Sequence, residues 1–284
     1  MAHTAPQIVP EITVQSLLKT EIVTIRDVVC RGECRHKSAE ECSSSTHLVF
    51  PYRGVYMRHL GQDDAVAEAN QVLFFNEGEG YQVSHPVAGG DACLSLVIRE
   101  SLLRELTPEE RMHPGSKLAF RQQRLRIDPR AQALVALLRH TLRHGTIETL
   151  EAETLALTLV RRAMDEETSH TPQSSTGRQK LVDRAKLVLS SDLTRRWTLA
   201  EISAEVRVSP VYLTQVFQQV EAVPLYRYHL RLRLARALDL LSQYDDLTAL
   251  SMDLGFSSHS HFTSSFRQAY GGTPAEFRRS IRQH

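Results

Sequence analysis

The chain has 284 residues, of which 42% are hydrophobic and 24% charged, the balance of an ordinary globular protein with room for two domains. It contains no run of 18 uninterrupted apolar residues, which excludes a membrane-spanning helix, and its first residues lack the basic and apolar regions of a secretory signal. We therefore expect a cytoplasmic protein whose four cysteines are reduced thiols.

The formal net charge of +1 is unevenly distributed. From Arg178 onward there are 15 basic and 10 acidic side chains, whereas the part before it carries 19 basic and 23 acidic ones. A basic module joined to a mildly acidic one is typical of a protein that binds nucleic acid, although on charge alone a chance asymmetry is an equal alternative.

Residues 20–99 are predicted to form a β domain. Short runs rich in β-branched and aromatic residues follow one another: EIVTIRDVVC, HLVFPYRGVYMRHL, NQVLFFNEGEGYQVSHP and ACLSLVIRE. Glycines separate them, and short strands at this spacing predict a sandwich or a barrel. Helices are then predicted over residues 101–112, 128–144 and 147–167, the last two with leucines at helical spacing. These two helices either cap the β domain or form a dimer seam.

A polar segment, TSHTPQSSTGRQK at residues 168–180, predicts a linker because it combines Pro, Gly, Ser and Thr without any apolar residue. It divides the chain into a first domain at residues 1–167 and a second at 181–284. The second domain has a helical pattern throughout. Its helix starts include capping boxes that begin at Thr198 and Thr273, and a Ser209 cap followed by proline.

Two segments of the second domain resemble each other: LAEISAEVRVSPVYLTQVF at residues 199–217 and LTALSMDLGFSSHSHFTSSF at residues 247–266. Each predicts a short helix, a tight turn and a second helix, which is a helix-turn-helix unit. The outer face of each second helix carries short polar side chains, which can approach base edges closely. A helix over about residues 224–243, ~30 Å long, would connect the units at nearly the ~34 Å spacing of successive major grooves.

Residues 181–282 resemble the DNA-binding domain of the AraC/XylS family of bacterial transcription regulators. The motifs SPVYLTQVFQ, YHLRLRLARALDLL and LGFSSHSHFTSSFRQAYGGTPAEFR carry the resemblance, which implies seven helices with two helix-turn-helix units on a long connecting helix. The chain departs from the family at Ala222, where glycine is usual, and at Ser203, Ser251 and His229. Alanine at a left-handed turn position costs roughly 1 kcal/mol.

The resemblance implies base-reading positions in both units. They are Val211, Thr214 and Gln215 in the first unit, and His259, Ser260, Thr263 and Ser264 in the second. We expect phosphate contacts from Arg195, Arg196, Gln218 and Arg267. For His259 a solvated surface position is an equal alternative, and Trp197 is expected to pack against a helix start.

The segment NQVLFFNEGEGYQVSHPVAGGD more weakly resembles the cupin-like sensor domain of the same family. The predicted fold is α+β: an N-terminal cupin-like β-barrel with two or three following helices, then an all-α domain with two helix-turn-helix units. In the family this domain often binds a small effector or mediates dimerisation. A rival hypothesis is an enzyme or stand-alone binding protein built on the β domain. Metal-dependent cupin enzymes use a His-x-His pair, which residues 20–100 lack, so we predict that the chain is not an enzyme.

The stretch CRGECRHKSAEECSSSTH brings soft ligands together in the sequence. Cys30, Cys34, His36 and Cys42 form a candidate metal or redox site. Their spacing is not that of a zinc finger, and ordinary core or surface roles are the main alternative. No other cofactor is expected.

The sequence thus predicts a sequence-specific DNA-binding transcription regulator. By the habit of the family it is an activator, and its N-terminal domain responds to a small molecule or to a redox or metal signal. The expected partners are double-stranded promoter DNA, RNA polymerase, a small-molecule effector and a second copy of the chain, with no membrane partner.

Overall fold

The computed structural model describes residues 12–32, 35–115, 117–171 and 175–283. The strands are β1 (Ile12–Lys19), β2 (Val23–Cys30), β3 (Glu41–Cys42), β4 (His47–Gly54), β5 (Tyr56–Leu60), β6 (Asp63–Ala67), β7 (Gln71–Phe75), β8 (Gly80–Ser84), β9 (Asp91–Ile98), β10 (Arg124–Ile127) and β11 (Ser169–His170). The helices are α1 (Glu100–Leu106), α2 (Pro129–His144), α3 (Thr149–Met164), α4 (Thr176–Ser191), α5 (Leu199–Glu205), α6 (Pro210–Glu221), α7 (Leu225–Leu240), α8 (Leu247–Asp253), α9 (His259–Tyr270) and α10 (Pro274–Gln283). A 3-10 turn lies at Glu109–Arg111.

The strands form two sheets whose neighbours pair antiparallel. The larger has the order β1-β2-β9-β4-β7-β10-β11, and the smaller has the order β3-β8-β5-β6. The α+β class predicted from the sequence is confirmed. The strand pairings of the described residues leave two separate sheets, so closure into the predicted cupin-like barrel is not shown.

Alternating side chains give the larger sheet two buried faces, as the two-residue period of a strand requires. Ile25, Leu48 and Leu94 point to one face and pack with residues of α1, α2 and α3. Val49 and Cys93 point to the other face and pack toward the smaller sheet. Since α2 and α3 bury their apolar faces on this sheet, they cap it, as one of the two alternatives predicted.

Several elements differ from the sequence prediction. The strands β1, β6 and β10 were not predicted, because β1 is largely exposed and β6 and β10 are short runs with charged residues. The predicted linker at residues 168–180 contains β11, which pairs with β10, and the first turn of α4. That turn has no apolar residue, so hydrophobic periodicity gave no sign of it.

The second domain consists of the seven helices α4 to α10, the number that the family resemblance implied. The first unit, α5 and α6, shares a core with α4, while the second unit, α8 and α9, has its own core. The helix α7 contributes Tyr228 and Leu232 to the first core and Leu238 to the second. It has 16 residues, or ~24 Å, and is therefore shorter than the ~30 Å predicted.

The two domains are packed against each other through α2 and the end of the larger sheet. Ala136 of α2 lies in the core of the second helix-turn-helix unit. Arg139 of α2 pairs with Asp239 of α7 at 2.8 Å, and Arg124 of β10 pairs with Asp183 of α4 at 3.0 Å, with all four side chains buried. No helix within the described ranges is long and apolar enough to cross a membrane.

Candidate nucleic-acid interface

The helix α6 is the second helix of the first unit. Its start is capped by the Ser209 hydroxyl, which accepts a hydrogen bond from the Tyr212 amide at 3.2 Å. The helix packs against the first core through Leu213, Val216 and Phe217, all of which are buried. The predicted base-reading and phosphate residues Val211, Thr214, Gln215 and Gln218 are all exposed. The sequence therefore placed the outer face of α6 correctly, and DNA contact by these residues stays a prediction.

The helix α9 has the same construction in the second unit. The Ser258 hydroxyl accepts a hydrogen bond from the His261 amide at 3.1 Å, and Phe262 and Phe266 are fully buried. The predicted residues His259, Ser260, Ser264 and Arg267 are exposed, while Thr263 is half-buried. The Thr263 hydroxyl lies 3.3 Å from His259 Nε2, so these two side chains form one polar pair on the outer face.

The backbone turns of both units adopt left-handed conformations. Gly255 ends the first helix of the second unit with φ +75°, and Arg207 occupies the corresponding turn of the first unit with φ 59°. Ala222, where the family usually has glycine, has φ 53° and ends α6. The strain expected at Ala222 from the sequence is therefore present in the backbone.

Arg233 of α7 connects the two units, a role that the sequence did not reveal. Its guanidinium donates hydrogen bonds to the carbonyl oxygens of Leu193, Thr194 and Arg195, which precede α5. It also donates to the carbonyl of Gly255 in the turn of the second unit, at 3.2 Å. One side chain thus joins the segment that leads into α5 to the turn of the second unit.

The predicted phosphate-binding arginines before α5 differ in their surroundings. Arg195 pairs with Glu201 at 2.6 Å, and its guanidinium lies 4.1 Å from the centre of the Trp197 ring. The Thr198 hydroxyl and amide, followed by Arg195, lower the pKa of Glu201 to about 2, which keeps the capping carboxylate charged. Arg196 is exposed, and Trp197 is half-buried and packs on the first core.

Of the four candidate metal or redox residues, the three that the structure describes, Cys30, His36 and Cys42, do not form one group. Cys34 lies outside the described residues, and His36 and Cys42 are exposed. In the described ranges the fold groups Cys30 instead with His85 and Asp91, with one ligand atom of each within 4.8 Å of the others. No local sequence pattern indicates this grouping, because His85 and Asp91 are 55 or more residues away from Cys30 along the chain.

Two tandem units on a shared helix, each with an exposed second helix, define a double helix-turn-helix domain. A family model described as a helix-turn-helix domain matches residues 202–280. The C-terminal domain of this chain is an AraC-type helix-turn-helix domain, as its motifs predicted.

Similar proteins are regulators by name. The HTH-type transcriptional regulator ArgR of Pseudomonas aeruginosa is 36% identical over 35% of this chain and 30% of its own length. The probable transcriptional regulator LumQ of Photobacterium leiognathi is 23% identical over 84% of this chain and 94% of its own length. A crystal structure of an AraC-type regulator from Chromobacterium violaceum is 30% identical over 38% of this chain and 98% of that chain, with a TM-score of 0.36.

The chain spans only 30% to 39% of the length of the first curated relatives that it matches. These relatives are named as transcription regulators or regulatory proteins and not as enzymes, which agrees with the prediction that the chain is not an enzyme.

Proposed function

We propose that the protein is a sequence-specific DNA-binding transcription regulator in which α6 and α9 enter successive major grooves of one promoter site. The observation that carries this proposal is the exposed outer face of both helices, which presents mostly short polar side chains while the inner face is buried in a hydrophobic core. Short side chains of this kind bring a helix close enough to read base edges.

The base contacts come from Val211, Thr214 and Gln215 in α6 and from His259, Ser260, Thr263 and Ser264 in α9. Arg196 and Arg267 are exposed and suit phosphate contacts, together with Gln218. Arg195 is already paired with Glu201, so its contact with a phosphate would compete with that pair. Of the four proposed phosphate contacts, the one from Arg195 is therefore expected to contribute least to DNA affinity.

The N-terminal domain is proposed to bind a small effector between its two sheets. A cavity of about 280 Å³ lies there, lined by apolar and aromatic side chains that include Val28, Val49, Tyr56, Phe75 and Val83. Its size suits a small, largely apolar molecule with a few polar groups. Since this domain packs on α7 through α2, an effector that shifts the sheets would change how the helix-turn-helix units are held. We also propose that the protein activates transcription through RNA polymerase and that two copies of the chain form a dimer.

The test is selection of preferred sequences from a random DNA pool by the full chain. The double variant His259→Ala/Thr263→Ala is expected to relax the preference at two or three adjacent positions, with a loss of about 1–3 kcal/mol at each reading contact. The matched control is His144→Ala/Thr158→Ala, which removes the same two residue types from exposed positions on α2 and α3. If both double variants keep the full preference, the assignment of α9 as a reading helix is wrong.

Salt dependence tests the phosphate contacts separately. Replacing Arg196 or Arg267 by alanine is expected to weaken binding to all sequences equally and to reduce the slope of log affinity against log salt by about 1. A full chain that shows neither sequence preference nor salt-dependent binding would overturn the proposed function.

A further inference from the structure

We propose that Cys30, His85 and Asp91 bind one divalent transition-metal ion of the zinc class at the wall of the cavity between the two sheets. The three residues contribute a thiol sulfur, an imidazole nitrogen and a carboxylate oxygen, and one such atom of each lies within 4.8 Å of the others. All three side chains also line the cavity. The site is therefore separate from the helix-turn-helix domain.

The strand register places the ligands on one face of the larger sheet. Cys30 of β2 lies directly opposite Asp91 of β9, so their side chains leave the sheet on the same side. His85 follows β8 of the smaller sheet, and its Nε2 lies 2.8 Å from Asp91 Oδ2. The ion would thus link the two sheets. Cys30 and Asp91 belong to the larger sheet, and His85 directly follows β8 of the smaller sheet.

Gly90 precedes Asp91 and allows the backbone there to lie close to the end of β2. Its φ is +65°, and a Cβ atom at this position would lie 2.3 Å from the carbonyl oxygen of Cys30. Only glycine allows the start of β9 to approach the end of β2 this closely. The distance between Cys30 and Asp91 is therefore set by the backbone rather than by flexible side chains.

The ligand set selects the class of ion. Thiolate and imidazole favour zinc and its first-row neighbours, whereas calcium and magnesium require oxygen ligands. Bond lengths of roughly 2.0–2.3 Å to zinc place ligand atoms about 3–4 Å apart, so the observed group needs only a small contraction or rotation. His85 and Asp91 are buried and Cys30 is half-buried.

Three protein ligands leave a fourth position of a tetrahedral ion open. Because the ligands line the cavity, this position faces the space that also borders Tyr56 and Cys93. A water molecule or a donor atom of a bound effector would occupy it. The site would therefore give a largely apolar cavity one strong polar anchor.

Titration of the untagged, reduced full chain with Co²⁺, followed by absorption spectroscopy, tests this site. Co²⁺ substitutes for zinc, and a bond between Co²⁺ and a thiolate gives a charge-transfer band in the near ultraviolet. We expect this band to saturate at about one equivalent and to disappear when Zn²⁺ is added. Cys30→Ser should abolish the band and weaken binding at least tenfold, while His85→Gln and Asp91→Asn should weaken it about 10–100-fold.

The matched control is Cys42→Ser, since Cys42 is an exposed cysteine outside the group. This variant should keep the band and the affinity of the unchanged chain. Absence of the band in the folded, unchanged chain would overturn the proposal, and so would a band that survives Cys30→Ser or is lost in Cys42→Ser. The readout does not involve DNA, so its failure is distinguishable from a failure of the proposed regulator function.

Discussion

The phenol of Tyr228 in α7 donates a hydrogen bond to the carboxylate of Glu68, which lies between β6 and β7 in the other domain. Both side chains are buried, with 0% and 1% of their surface exposed. Burial raises the pKa of Glu68, although the charge of Lys186 and the phenol of Tyr228 act against this rise. The same hydroxyl accepts a hydrogen bond from Gln71 Nε2 at 3.3 Å. This contact ties the helix that connects the two helix-turn-helix units to the sheet domain.

Replacing Tyr228 by phenylalanine is expected to lower the free energy of unfolding of the full chain by about 1–3 kcal/mol, because Glu68 and Gln71 lose a buried partner while the ring still fills its space. Urea unfolding monitored by circular dichroism measures this change. Tyr226→Phe is the control, since Tyr226 is 63% exposed on the same helix and should change stability little. Equal stability of the two variants would show that the buried contact does not hold the domains together.

His140 of α2 is buried in the contact between the domains. Its Nε2 lies 3.0 Å from the carbonyl oxygen of Leu238 in α7. Burial, followed by the charges of Arg139 and His144, lowers the pKa of His140 to about 4, while the Leu238 carbonyl and Asp239 act in the opposite direction. His229 of α7 also has its pKa lowered to about 4, chiefly by burial.

A lowered histidine pKa makes the folded state less stable as the pH falls. Above pH 6.5 the imidazole is neutral in both states and contributes nothing to the pH dependence. Between pH 6.5 and about 4 the unfolded chain binds the proton first, so each such histidine removes about 1.4 kcal/mol per pH unit, or roughly 3 kcal/mol in total. His140→Gln should therefore make the stability curve shallower over this range.

The measurement is the urea midpoint between pH 7 and pH 4.5, compared as a slope so that any constant loss of stability in the variant cancels. His113→Gln serves as the control, because His113 is exposed and is not among the groups that shift the pKa of His140. An unchanged slope in His140→Gln would mean that His140 is as easily protonated in the folded protein as in the unfolded chain.

Much of the DNA-binding domain could be predicted from the sequence because its signals are local. The caps at Ser209 and Thr198 and the buried Phe262 and Phe266 depend on residues only three or four positions apart. The contacts of Arg233, by contrast, could not be predicted in this way. Its real partners are backbone carbonyls about 40 residues before it and 22 residues after it, which no local pattern contains.

The N-terminal domain was harder to predict in detail. Runs rich in β-branched and aromatic residues predict most of its longer strands, but proximity along the chain groups the wrong candidate ligands. The fold instead brings Cys30 to Asp91 through the register of β2 and β9, and a shift of one residue would turn the two side chains away from each other. Register across two strands that are 60 residues apart is set by the whole sheet and is not visible in a single segment.

Ala222→Gly is expected to stabilise the protein by about 1 kcal/mol. Ala222 has φ 53° at the end of α6 and is exposed, so glycine removes the steric cost of the left-handed conformation with little loss of burial. Ala200→Gly in α5 is the control, because Ala200 is exposed in an ordinary helical turn, where glycine should instead destabilise by about 1 kcal/mol. Thermal unfolding distinguishes the two, and a destabilised Ala222→Gly variant would contradict a left-handed turn in solution.

Gly255→Ala should be the most damaging substitution in the turns, and Gly271→Ala provides its matched control. Both glycines have positive φ, +75° and +84°, so alanine costs each about 1 kcal/mol through the backbone alone. A Cβ at Gly271 would meet nothing within 4 Å, whereas at Gly255 it would lie 2.0 Å from the carbonyl oxygen of Thr194. That overlap forces the turn at Gly255 away from the segment before α5, which Arg233 holds beside it, at an additional cost of about 1–3 kcal/mol.

Because the overlap moves one helix-turn-helix unit relative to the other, Gly255→Ala should also weaken binding to a full DNA site more than Gly271→Ala does. Urea unfolding measures the first effect, and titration of a selected DNA site at a temperature where both variants are folded measures the second. If the two variants have equal stability and equal affinity, then the close approach of Gly255 to Thr194 does not set the spacing of α6 and α9. A loss of stability without a loss of affinity would show that α7 alone maintains that spacing.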